Sequence, residues 1–310
     1  MTTPHKEITS GLLFPEGPIT MPDGSVILVE IARETLTRVM PDGKQHVIAK
    51  LGGGPNGAAV GPDGKIYVCN NGGFNWIKRP DGRMFPGTAP DTYKGGSIQV
   101  VDPETGKFET LYDSCNGRRL NGPNDLVFDN AGGFWFTDLG KTREYDSDRG
   151  AVYYAKADGS GIEQKVFPLE RPNGCGLSPD EKWLYVAETP TARLWSFELS
   201  APGSIKDANG PYRGEKGRVV TGLGGYQMFD SLAVDSAGHI CVATLITGAV
   251  SDISPDGKSV VQYKLPDPMV TNVCFGGKEL RTAYATLSMT GKLVSFEWPR
   301  PGLKLNYLNK

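Results

Sequence analysis

Glu16, Asn56, Asn124, Asn173, Asp230 and Asn272 each stand 14 or 15 positions before the end of a short apolar strand pattern, the ends being Glu30, Asn70, Asp138, Glu188, Thr244 and Thr286. These carboxylates and amides supply oxygen, which suits a hard metal ion. If the segments repeat around a closed ring, the leading side chains converge on its axis. Glu16 and Asp230 then face each other, and two such carboxylates repel unless a cation or a proton lies between them. With the amide oxygens of Asn124 and Asn173 they form a doubly negative site. Ca²⁺ takes about 6–8 oxygens at roughly 2.3–2.6 Å, so four protein ligands leave room for water and substrate. The expected cofactor is one divalent cation, Ca²⁺ first. Carboxylate and amide oxygens also accept Mg²⁺ or Mn²⁺, and the lack of His and Cys makes Zn²⁺ the less favoured substitute. Asn56 and Asn272 are read as hydrogen-bonding partners within a water-filled channel. Glu30, Asp138 and Glu188 are read as supporting acceptors rather than ligands.

The elements that must position these residues recur six times. The first half of each unit is a strand, a tight turn and a second strand, as in MPDGSVILVE (21–30), GPDGKIYVCN (61–70), FDNAGGFWFTD (128–138), LSPDEKWLYVAE (177–188), VDSAGHICVAT (234–244) and FGGKELRTAYAT (275–286). Pro-Asp-Gly and Asn-Ala-Gly supply the backbone geometry of a hairpin. The β-branched and aromatic runs after them have strand length. The second half is another hairpin, with copies at 34–51, 95–113, 150–168, 193–199 with 217–223, 248–266 and 291–308 and with apolar–polar alternation in many. A spacing near ~40–50 residues is that of a propeller blade. The fold expected is all-β: a six-bladed β-propeller with four antiparallel strands per blade, a central metal-containing tunnel, and residues 1–310 in one domain. KEITSGLL (6–13) and the tail LKLNYL (303–308) compete to complete the last blade. Insertions at 71–94 and 139–149 follow inner-strand ends, where they can wall a pocket on one face. Phe74, Trp76, Phe85 and Tyr93 are its candidate apolar lining.

The bulk numbers exclude several classes. A net charge of −2 with no strongly basic stretch argues against nucleic acid or an anionic membrane as partner. Five widely spaced cysteines without a CxxC carry no zinc spacing and read as buried free thiols of a reducing compartment. The first residues hold no apolar signal core, and no window of 18 or more apolar residues follows, so the expected location is the cytoplasm. His5, His46 and His239 are the only histidines, and two of them lie near a terminus or in a polar hairpin, a poor basis for a Ser-His-Asp hydrolase. The assembly expected is a monomer or homodimer.

FPEGP, LNGPNDLVFDNAGGFWFTD, RPNGCGLSPDEKWLYVAETP and FDSLAVDSAGHICVAT resemble motifs of the senescence-marker-protein-30/gluconolactonase/luciferin-regenerating-enzyme family of six-bladed propellers, in the same order and across nearly the whole chain. NGRRLNGPNDLVFD and VAETPTARLWSFEL are also similar to its diisopropyl-fluorophosphatase branch. The resemblance implies a divalent ion, usually Ca²⁺, on Glu16, Asn173 and Asp230, with Asn124 a fourth ligand or a substrate contact. It implies substrate contacts near Asn121 and Arg119, and hydrolysis of sugar lactones or other cyclic esters. Two departures stand out: Ser231 follows Asp230 where Gly is common, and Glu30 stands where Asp is common.

These readings predict a metal-dependent hydrolase of a small lactone or ester. The ion polarises the ring carbonyl, Asp230 acts as ligand and catalytic group, an activated water attacks, and Asn124, Asn121 and Arg119 orient the substrate. Two rivals stand beside it. One is a phosphotriesterase-like or arylesterase activity in the same tunnel. The other is a non-catalytic, metal-stabilised, ligand-binding propeller. Loops at 71–94, 139–149 and 200–216 are expected to set specificity.

Overall fold

A computed structural model describes residues 2–206 and 217–310. It is a six-bladed β-propeller. Blade 1 comprises Pro15–Thr20, Val26–Glu30, Thr35–Val39 and Gln45–Lys50 from the axis outward. Blade 2 comprises Pro55–Val60, Ile66–Asn70, Ser97–Val101 and Phe108–Tyr112. Blade 3 runs through Pro123–Phe128, Gly133–Asp138, Gly150–Lys156 and Ile162–Leu169. Blade 4 runs through Pro172–Leu177, Trp183–Glu188, Arg193–Ala201 and Arg218–Gly222, with Ser204–Ile205 as an added edge. Blade 5 is Met228–Val234, Ile240–Leu245, Ala249–Ile253 and Val260–Lys264. Among the described residues the only helix is one 3₁₀ turn, Lys278–Leu280, and none is long and apolar enough to cross a membrane.

Blade 6 settles how the ring closes. It contains Val270–Gly276, Thr282–Leu287 and Lys292–Glu297, and its outermost strand is the N-terminal Lys6–Ser10, paired as Lys6 with Ser295 and Ser10 with Lys292. The tail therefore does not supply a strand, and the hairpin expected across 291–308 stops at Glu297. Residues 299–310 instead cross the end of the tunnel. Leu303, Tyr307 and Leu308 pack against three different inter-blade clusters, and Asn306 donates to Phe128 O and to Glu181 Oε1. Arg300 fixes this floor through Nε to Asp235 Oδ2 at 2.5 Å and Nη2 to Asp252 Oδ2 at 2.6 Å.

The core is divided as a ring of sheets demands. Each junction between neighbouring blades holds its own apolar cluster, for example Leu126, Phe128 and Phe134 of blade 3 with Tyr67, Ile98 and Tyr112 of blade 2. Such stacking buries both faces of every sheet except at the outer strands, where Gln45–Lys50 and Phe108–Tyr112 are largely exposed.

One local device repeats at the axis. Every innermost strand carries a β-bulge beside its leading polar residue, with register shifts between Glu16 and Ile19, Pro55 and Ala58, Pro123 and Leu126, Pro172 and Cys175, Phe229 and Leu232, and Val270 and Asn272. A bulge bends the strand and re-aims a side chain. The interval of 14 or 15 residues is the same geometry seen along the chain, because Pro15 pairs with Glu30, Pro55 with Asn70, Pro123 with Asp138 and Pro172 with Glu188. Glycine follows where the next blade comes close: a Cβ on Gly57 would lie 2.4 Å from Asn124 O, and one on Gly174 would lie 2.4 Å from Leu232 N.

Candidate metal centre and substrate cavity

Glu16, Asn124, Asn173 and Asp230, from blades 1, 3, 4 and 5, line one cavity of about 500 Å³ at the axis. All four are buried. Glu16 Oε2 accepts from Gly17 N and from Asn272 Nδ2, each at 2.9 Å. Asn173 gives its Nδ2 to Thr189 Oγ1 at 3.1 Å, and its Oδ1 accepts from Ser231 Oγ at 3.3 Å. Asn124 Oδ1 is buried with no hydrogen-bond donor among the described residues. A buried acceptor left without a donor costs about 1–3 kcal/mol, so this oxygen calls for a partner.

The electrostatics point the same way. Burial first, opposed by the Asn272 and Gly17 hydrogen bonds, raises the Glu16 carboxyl to about 7. Burial and then the neighbouring Glu16 push Asp230 well above the carboxylate range. A third carboxylate, Asp125, lies close by, and burial and then Glu16 raise it to about 8. The donor set is thus all oxygen, with two carboxylates strained by proximity and one orphaned amide oxygen. These residues fit a hard divalent cation.

Each remaining sequence expectation has a definite place. Asn272 does not offer its oxygen to the axis, because Oδ1 accepts from Val273 N at 2.7 Å while Nδ2 holds Glu16. Asn56 lines the cavity. The strand-end residues cap loop amides: Asp138 accepts from Asn121 N at 2.8 Å, Gly122 N at 2.7 Å and Gly140 N at 2.9 Å, and Glu30 accepts from Leu13 N and Thr37 Oγ1, both at 2.7 Å. Arg119 and Asn121 do not line the cavity. The insertion draws them away: Arg119 is exposed and donates to Lys94 O, and Asn121 O accepts from the Tyr93 hydroxyl.

The insertions do wall the cavity. Trp76–Lys78 and Met84–Pro86 pair as a small hairpin, and Phe74, Ile77 and Pro86 face inward beside Phe14 and Met269. Trp76 lies behind this wall, tilted against Phe14 and edge-to-face with Phe74 at centroid distances of 5.1 and 5.9 Å, while Phe85 and Tyr93 also lie outside the lining. Residues 207–216 of the third expected specificity loop lie outside the described residues.

Sequence reasoning missed four residues at this site. Asp125 hides behind Asn124 in NGPND, where blades 1, 2 and 4 have glycine. Lys141 is fully buried, with Nζ 2.6 Å from Gly73 O, 3.2 Å from Asn71 Oδ1 and 4.1 Å from the Phe74 ring centre, so it ties the two insertions together. Burial lowers its amine to about 7. Arg171 and Thr189 line the cavity beside Asn173. Asp235, His239 and Asp252 bring three ligand-type atoms within 4.8 Å of one another, but the Arg300 guanidinium already lies on both carboxylates and His239 Nδ1 lies 2.7 Å from Asp252 Oδ1. That cluster is a clamp for the tail.

Comparison with known proteins adds an independent line. A family model described as "SMP-30/Gluconolactonase/LRE-like region" matches residues 14–289. A gluconolactonase of Zymomonas mobilis is 28% identical over 302 residues, covering 90% of this chain and 77% of its own length. The lactonase drp35 of Staphylococcus saprophyticus is 28% identical over 269 residues, covering 85% and 73%. The crystal structure of regucalcin from Agrobacterium tumefaciens, described as a calcium-binding protein, superposes with a TM-score of 0.73 at 20% identity over 98% of this chain and 99% of that one, a likeness of fold.

Proposed function

Because the chain belongs to the SMP-30/gluconolactonase/LRE-like family, we propose that it hydrolyses a lactone with the help of one divalent cation, Ca²⁺ by preference. Gluconolactonase and lactonase relatives support lactone hydrolysis as the reaction class. The observation that carries the cation is the convergence of Glu16, Asn124, Asn173 and Asp230 from four blades on one cavity, with Asn124 Oδ1 lacking a donor.

When bound, such an ion supplies Lewis-acid polarisation of the lactone carbonyl. The chain's own groups do the rest. Asp230, buried in the lining of the axial cavity, is placed to take a proton from the attacking water. Asn272 and Gly17 hold Glu16 in one orientation, and Thr189 does the same for Asn173. Phe14, Phe74 and Ile77 give the cavity an apolar wall against which a substrate's carbon skeleton can rest. Asn124 contacts the ion or the substrate. Arg119, through Lys94 O, and Asn121, through its backbone oxygen to the Tyr93 hydroxyl, brace the insertion that walls the cavity.

The test is a chelator-treated preparation assayed on γ- and δ-lactones, then resupplied with calcium. The expected result is loss and recovery of turnover; full activity without metal contradicts the reading. The apolar wall favours a second arm with an aryl ester, and a phosphotriester belongs in the same panel. If chelation lowers the melting temperature while no ester turns over at any calcium level, a binding propeller replaces the enzyme.

A further inference from the structure

Among the described residues Arg171 is the one cation of the cavity lining, and only part of its guanidinium is engaged. It immediately precedes Pro172 in blade 4, with φ of 52°, and its carbonyl accepts from Thr189 N at 3.2 Å. An arginine in the left-handed region is held there against its own preference, so the surrounding structure over-determines it. Its side chain reaches across to the second insertion, where Nη1 donates to Thr142 Oγ1 at 2.8 Å. Among the described residues that is its only side-chain hydrogen bond, and no carboxylate pairs with it.

The nearby acids are already engaged. Glu170 pairs with Arg149 at 2.8 Å, Asp148 pairs with Arg143 at 2.6 Å, and Glu188 accepts from Glu170 N and Thr191 Oγ1. Asp230 attracts Arg171 at longer range, but it is also a proposed ligand whose charge the cation takes up. Nε and Nη2 form one edge of the guanidinium, and no described residue accepts a hydrogen bond from that edge. Two parallel N–H donors on one edge are the geometry that grips a carboxylate through both oxygens.

We propose that Arg171 is a specificity-determining residue that receives a carboxylate substituent of the substrate, so that the preferred lactones are acidic ones. This rests on the lactonase reading, deepens it, and is separable from it by experiment. A neutral sugar lactone would leave a desolvated guanidinium edge without a partner. A carboxylated lactone satisfies that edge while its ring carbonyl lies at the axis. The apolar wall opposite holds the carbon skeleton.

The experiment uses calcium-loaded protein and an isosteric pair, 5-oxo-oxolane-2-carboxylate and its uncharged carboxamide. The expected result is a kcat/KM about tenfold or more higher for the carboxylate, in keeping with a charge-assisted bidentate pair. In Arg171→Met the ratio collapses to about one, and Arg171→Lys keeps part of it. Calorimetric titration with the ring-opened dicarboxylate and its monoamide reads the same preference without turnover. If the dicarboxylate binds better but neither lactone is opened, the lactonase reading fails and the anion subsite stands. Equal turnover and equal binding of both members by the wild type overturns the proposal, as does a preference that survives Arg171→Met. Should Arg171→Met fail to fold, the wild-type comparison and Arg171→Lys still decide it.

Discussion

Asn272 in the last blade donates its Nδ2 to Glu16 Oε2 in the first at 2.9 Å, across 256 residues of chain. One hydrogen bond thus closes the ring at its axis and aims a carboxylate. Gly17 N donates to the same oxygen at 2.9 Å. Replacing Asn272 by Leu removes the donor at similar volume. The expected outcome is calcium affinity weakened by about tenfold, the usual cost of losing an outer hydrogen bond to a ligand, read by calorimetric titration.

Asp230→Asn keeps shape and removes charge. It relieves the repulsion with Glu16 that, after burial, raises both the strain and the pKa of Asp230. The metal-free variant is therefore expected to melt a few degrees higher than the metal-free wild type, while calcium stabilises it less. Turnover of the lactone falls by about a hundredfold or more, since a base and a ligand are lost together. Differential scanning calorimetry with and without calcium, alongside steady-state rates, checks the pair of effects.

The carboxyl shifts fix a pH dependence. Glu16 at about 7 and Asp230 well above its usual range both bind protons more tightly in the folded state than in the unfolded chain. The Glu16 contribution to metal-free stability is full below the unfolded carboxylate value near ~4 and is lost as pH rises through about 7, and Asp230 acts in the same direction. A cation competes with those protons, so calcium affinity rises over the same window, by about tenfold per pH unit for each proton displaced. Melting curves and calcium titrations from pH 5 to 8 read both slopes, which have opposite signs.

Arg300→Leu strands Asp235 and Asp252, two buried carboxylates, without their common cation. A loss of about 3–5 kcal/mol is expected, as for other buried pairs broken on one side. Denaturant unfolding gives the loss, and hydrogen exchange at 299–310 shows whether the tunnel floor is released first.

Lys141→Met removes the donors to Gly73 O and Asn71 Oδ1 while keeping a long apolar stem under Phe74. The two insertions then lose their tie. The expected effects are a KM raised severalfold, a kcat changed less, and faster amide exchange across 71–94, at a stability loss of about 1–3 kcal/mol.

Much of this was legible because the repeat writes itself into residue types. The interval from Glu16 to Glu30 reflects the pairing of Pro15 with Glu30 and returns, blade after blade, in the bulged inner hairpins. Two features were ambiguous for physical reasons. KEITSGLL and LKLNYL carry similar apolar content, and only the pairing of Lys6–Ser10 with Lys292–Glu297 decides between them. Arg119 and Asn121 sit at the positions that the resemblance assigns to substrate, yet a non-repeating insertion lies against both, Lys94 O accepting from the Arg119 side chain and the Tyr93 hydroxyl donating to the Asn121 backbone oxygen. Asp125, Lys141 and Arg171 escaped because nothing periodic marks them. Their roles arise from burial and from contacts between segments far apart in the chain, such as Lys141 with Gly73.

The central claim is a shared cation at the axis, and a crystal structure of calcium-soaked protein tests it most directly. The account predicts one strong density peak with oxygens of Glu16, Asn124, Asn173 and Asp230 at roughly 2.3–2.6 Å. An axis without an ion at saturating calcium, or an ion bound only elsewhere on the molecule, contradicts it.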